Sequence, residues 1–204
     1  MKLYSINEQK KITALNRYSA ILKKSFDKYY EAPINVWNNF ANYCEFVTFN
    51  KEEIIKHTHE IERNFYFIID GSAGIFLWKK NNFVCLDFVF ENNFHCDYMS
   101  LLSGESTPLQ TMALEKSEML RISKQIFFEI AKKPLGQVIL RIATEAAYID
   151  KQRQQIDLLT KTSLERYKEL IDKFPNIMQR TPQKHIASYL GITPQSLSRL
   201  RKIF

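Results

Sequence analysis

Two Thr-Pro pairs near one end, Thr181-Pro182 and Thr193-Pro194, with Gly191 between them, constrain this chain more than any other feature. A hydroxyl placed before Pro is a helix-start signal. The hydroxyl accepts a free N–H of the first turn, and Pro has no N–H to leave unpaired there. A Gly that follows an apolar residue ends a helix, because it enters the left-handed region without strain. The spacing therefore predicts helices at about 182–190 and 194–203, joined by a sharp turn at Gly191. Apolar residues fall where two crossing helices need them. Ile186 and Leu190 lie one turn apart, Ala187 is small where the helices cross, Ile192 plugs the turn, and Leu197 and Leu200 face back from the second helix. This is the pattern of a helix-turn-helix.

Charge singles out the same segment. The 204 residues carry a net charge of +7. Residues 1–133 hold 17 basic and 16 acidic side chains, whereas residues 134–204 hold 12 and 6. No acid follows Asp172. A field gathered at one end, interleaved with apolar residues at helical spacing, points to a polyanionic partner rather than a solvated tail. Double-stranded DNA fits the motif. On the second helix Gln195, Ser196 and Arg199 are the expected base readers, since Gln pairs with adenine and Arg with guanine. Arg180, Thr181, Lys184, Thr193, Arg201 and Lys202 are expected to hold phosphates.

Upstream the texture changes twice. Residues 12–30 and 34–42 read as helices, the second opened by Pro33 with Val36, Trp37 and Phe40 on its buried side. From Cys44 to Ile122, runs rich in Phe, Val, Ile and Tyr predict strands at about 45–49, 53–57, 65–70, 73–80, 83–90, 109–114 and 118–122. Asp70-Gly71-Ser72 and Lys80-Asn81-Asn82 are turn signals. Short strands at this spacing suggest a small antiparallel barrel or jelly roll. Ser123 caps a short helix, and Pro134 opens a long one running to about residue 155. Its apolar stripe is Leu135, Val138, Ile139, Ile142, Ala146, Ile149 and Ile156. A narrow seam over so many turns needs a partner, and a second copy of the same helix supplies one. A helix at about 162–174 ends at Pro175. The expected fold is α+β. Residues 1–133 form the roll with its flanking helices, 134–157 the dimerisation helix and 158–204 the helix-turn-helix domain.

Several classes are excluded. Cys44, Cys85 and Cys96 are far apart and include no CxxC pair, which argues against a disulfide framework and a four-thiolate cluster. His57 and His59 would share a strand face but find no third ligand, so neither a metal nor a cofactor is expected. No Ser-His-Asp spacing, phosphate-binding Gly loop or HExxH motif suggests an enzyme. The N-terminus lacks the apolar stretch of a signal peptide, and no run suits a membrane span, so a cytoplasmic address and no membrane partner are expected.

The order of parts resembles the Crp/Fnr family of bacterial transcription regulators. The resemblance covers roughly residues 35–204 and is carried by IASYLGITPQSLSRLRK at 186–202 and NFYFIIDGSAGIF at 64–76. It implies a homodimer with a cyclic-nucleotide-binding-type domain, a DNA-binding domain and RNA polymerase as a partner. Cyclic-AMP-binding members carry a Gly-Glu pair and, later, an Arg with a small residue in the cassette that holds the nucleotide. Those places here read Cys96-Asp97 and Thr107-Pro108. Thr107 cannot neutralise a phosphate, Pro108 has no N–H to donate, and no Arg occurs in 94–113. Cyclic AMP is therefore not expected to bind tightly, and an unknown small-molecule effector is left open. The competing reading is a ligand-binding or protein-interaction module of the same fold that has lost DNA binding.

Overall fold

The computed structural model describes residues 6–79 and 82–202, with side chains from residue 13 onward. Two four-stranded antiparallel sheets form a jelly roll. One has β1 (Glu45–Phe49), β8 (Ser117–Ser123), β3 (Asn64–Asp70) and β6 (Phe94–His95) in that order. The other has β2 (Ile54–Lys56), β7 (Leu109–Ala113), β4 (Ser72–Lys79) and β5 (Asn82–Phe90). Side chains alternate across each strand, so one set fills the roll and the other covers it. Tyr66 and Ile68 of β3 pack with Ala73 and Met119. Phe67 and Ile69 point the other way and pack with Leu22, Phe26, Trp37 and Leu120. This second cluster seats α1 (Ile6–Phe26) and α2 (Ile34–Asn42) on the roll.

After β8 come α4 (Lys124–Ala131), α5 (Pro134–Thr160), α6 (Ser163–Lys173), α7 (Ile177–Arg180), α8 (Gln183–Tyr189) and α9 (Pro194–Leu200). Ser123 caps α4 as expected, accepting from Ile126 N. The outer face of the second sheet is apolar through Phe76, Cys85, Phe88 and Phe90. It is covered by Tyr167, Leu170, Ile177, Ile186, Ala187, Leu190 and Leu197, so the terminal helices and the roll share one core.

The predicted strands all form, with ends shifted by a residue or two. The short β6, the helix α3 (Tyr98–Ser103) and the short α7 are not among the predicted elements. The Lys80-Asn81 part of the second turn lies outside the described residues. The long helix continues to Thr160 because nothing in 155–160 interrupts it. His57 and His59 do not share a strand face: β2 ends at Lys56, and His59 takes a left-handed φ of 63° in the loop that follows. Among the described residues no helix is long and apolar enough to cross a membrane.

Candidate nucleic-acid interface and the interior of the roll

The turn between α8 and α9 forms where the sequence places it. Gly191 has φ 67°, and Ile192 N donates to Ala187 O at 2.9 Å, closing the end of α8. Arg166 of α6 adds a bond that spacing could not reveal, donating from Nη2 to Leu190 O at 2.8 Å. Thr193 caps α9 by accepting from Ser196 N at 3.1 Å, with Pro194 in the first turn. Ile186, Leu190 and Leu197 are fully buried, and Ala187 is 1% exposed where the helices cross.

Burying that face leaves the opposite one in water. Gln195, Ser198 and Arg199 of α9 are exposed, as are Arg201 and Lys202 just beyond it and Lys184 on α8. Gln195 and Arg199 are one turn apart, so they share a face. Ser196 is half-buried, and its hydroxyl is 3.1 Å from that of Thr193, which binds it into the cap.

Two residues predicted for this surface are elsewhere. Thr181 does not cap α8. It closes α7, is 3% exposed, and Pro182 takes the cap position without a side-chain bond. Arg180 faces the roll. Its Nη1 and Nη2 reach Glu91 at 3.0 and 2.5 Å, and its Nε and Nη2 reach Glu115 at 3.0 and 2.6 Å. Burial opposes ionisation of Glu91, but the guanidinium and backbone N–H donors together outweigh it and hold that carboxyl below its ordinary value. The sequence gives no sign of this clamp, since its acids lie 65 and 89 positions away.

Inside the roll, Cys96, Asp97 and Thr107 come together and are buried, while Pro108 is exposed. A fourth residue that sequence reasoning missed joins them. Lys56 sends its ammonium inward, 2.9 Å from Asp97 Oδ2, with both side chains nearly without solvent contact. The same ammonium donates to Thr107 Oγ1 at 3.2 Å and to Leu109 O at 2.9 Å. Thr107 Oγ1 also donates to Asp97 Oδ2, and Ser100 N donates to Asp97 Oδ1 at 3.1 Å, which caps α3. Asp97 thus has partners on both oxygens. Glu62, buried beside it, accepts from the N–H groups of Arg63, Asn64 and Asp97. Burial still raises the Glu62 carboxyl above its ordinary value, against the pull of those donors. His95 lies wholly inside with neither ring nitrogen bonded, and burial lowers its pKa to about 4. Burial also raises the thiols of Cys85 and Cys96, so neither is a ready thiolate. Among the described residues no group of three or more His, Cys, Asp or Glu side chains could hold a metal ion.

Residues 46–133 match the cyclic nucleotide-binding domain. That stretch runs from within β1 to just past α4 and contains the Cys96–Pro108 stretch. Solved structures show the same fold over a longer stretch. FixK2 from Bradyrhizobium japonicum is similar over 78% of this chain and 83% of its own, with 18% identity and a TM-score of 0.65. The c-di-GMP responsive global regulator CLP of Xanthomonas campestris is similar over 83% and 90%, with 13% identity and a TM-score of 0.62. The catabolite activator protein of Thermus thermophilus is similar over 88% and 85%, with 15% identity and a TM-score of 0.55. No curated protein sequence matches. In each of these structures the likeness runs beyond the cyclic nucleotide-binding domain into the helices that follow it.

Proposed function

We propose that the chain is a dimeric, sequence-specific DNA-binding transcription regulator of Crp/Fnr type whose roll does not take cyclic AMP. One observation carries the reading: a rigidly capped α9 turns Gln195, Arg199, Arg201 and Lys202 to water in a stretch without acids. Exposed Gln and Arg on one helix face suit base edges, and the flanking cations suit phosphates. Lys184 and Thr193 join the phosphate set, while Arg180 and Thr181, engaged or buried, leave it.

Dimerisation supplies the second half of the reader. α5 has no buried residue, and its Ile149 and Ile156 are 49% and 57% exposed. Ile139 and Ala143 pack against the core cluster formed by α1, α2, β3 and β8, which leaves Val138, Ile142, Ala146, Ile149 and Ile156 for a second copy. Two α9 helices about 34 Å apart would then enter successive major grooves of a near-palindromic site.

The roll reads as closed to cyclic AMP because Lys56 is engaged by Asp97, Thr107 and Leu109 O, and Thr107 and Pro108 stand where cyclic-AMP-binding members carry an Arg and a small residue. The comparisons support a regulator rather than an enzyme through their fold. Selection of bound duplexes from a random library, followed by gel-shift titration, tests the whole reading. A near-palindrome is expected to emerge, and Arg199→Ala is expected to cost about 1–3 kcal/mol and relax one base position. Failure to enrich any sequence overturns it.

A further inference from the structure

We propose that Arg180 is a positioning residue, which clamps the α8–α9 pair to the roll and so fixes the direction in which α9 faces DNA. The inference rests on the DNA-binding reading above.

The clamp is built from both sides. Arg180 presents its planar fork to two carboxylates and stacks 4.9 Å from the ring centroid of Phe90. The carboxylates are themselves held. Glu91 Oε1 accepts from Gly71 N at 3.0 Å, and Glu115 Oε1 accepts from Ser72 Oγ at 2.6 Å. One guanidinium therefore gathers the β3–β4 turn, the end of β5 and the β7–β8 turn. Gly71 has φ 92°, and a Cβ there would stand 2.4 Å from Ser117 Oγ, so the turn has little room to move.

A second tie lies towards the other end of α8. Cys85 N of β5 donates to Ser188 Oγ at 2.9 Å. Between the two ties the Phe76 ring meets His185 at 4.8 Å, and beside the second tie the Phe88 ring meets Tyr189 at 5.1 Å. A single tie would leave α8 free to pivot. Two ties with apolar contact between them define its orientation, and the Gly191 turn passes that orientation to α9. A guanidinium can bridge two carboxylates in this way; an ammonium, with no planar fork, cannot match it.

The sign of one experiment separates positioning from plain electrostatics. Glu91→Gln with Glu115→Gln removes two negative charges near a polyanion, so the field alone would raise DNA affinity. Loss of the clamp lowers it. The selected duplex should bind this variant about tenfold more weakly, with the slope of log K against log salt unchanged. Arg180→Lys should behave alike, and hydrogen exchange at the Cys85 amide should quicken in both. The milder single variant Glu115→Gln covers the case in which the double variant fails to fold. Equal or tighter DNA binding overturns the proposal, and so does a salt slope reduced by about one in the charge-removing Arg180→Gln, which would mark Arg180 as a phosphate contact. If the unaltered protein binds no duplex, the DNA-binding reading fails by itself. The clamp is then judged by exchange alone, and unchanged Cys85 protection in the variants overturns it.

Discussion

Lys56 shows how much a single side chain can decide. Its ammonium is held in the roll by Asp97, Thr107 and a carbonyl, and no water is needed to satisfy it. Lys56→Met would leave Asp97 as a buried carboxylate without its counter-ion, and chemical denaturation should show a loss of about 3–5 kcal/mol. Adding Asp97→Asn, which removes the buried charge but keeps an acceptor for Ser100 N, should recover most of that loss. His95 makes a prediction about pH. Its folded-state pKa is about 4 against an unfolded value of 6.5, so only the unfolded chain takes up the proton in between. Stability is complete above about pH 6.5 and falls as pH drops towards 4, by about 3 kcal/mol at most. Denaturation midpoints at pH 7 and 4.5 should differ less in His95→Leu than in the unaltered chain. Neither role was legible in the sequence. A Lys in a strand reads as solvent-facing, and only the approach of Thr107, 51 positions on, turns Lys56 into an interior group.

Elements were read well where their signals are local. Gly191, the Thr193 cap and the alternation in Phe65–Ile69 each depend on a few neighbouring residues, and the terminal turn and the central strands formed as expected. The six-residue α3 is too short to show a periodic pattern, and its one local signal is the Asp97 cap. α7 was missed because its four residues hold no periodic pattern, and with it went the assignment of Thr181. Gly191→Ala places a Cβ on a backbone at φ 67° and should cost about 1–2 kcal/mol in thermal unfolding. α5 makes the stronger test at this scale. Its 27 residues extend about 40 Å with no buried side chain. Ile142→Asp with Ile149→Asp should yield monomers in sedimentation velocity, with the circular dichroism spectrum retained. A dimer that survives both changes would place the interface elsewhere.

At the scale of the whole molecule, the sheet face built from Phe76, Phe88 and Phe90 and the terminal helices cannot be separated without exposing both. The sequence could not foretell this. Alternation along β4 and β5 shows that two faces exist but not what covers each. Calorimetry of the full chain should give one cooperative transition rather than a roll and a terminal domain melting apart; two resolved peaks would contradict the shared core. There is a practical corollary for anyone building hybrids between regulators of this shape. The last fifty or so residues are not a cartridge. Transplanted onto a foreign roll they would meet the wrong aromatic surface and no paired acids for Arg180. A workable chimera would have to carry the β4–β5 hairpin, Glu91 and Glu115 along with the reading head.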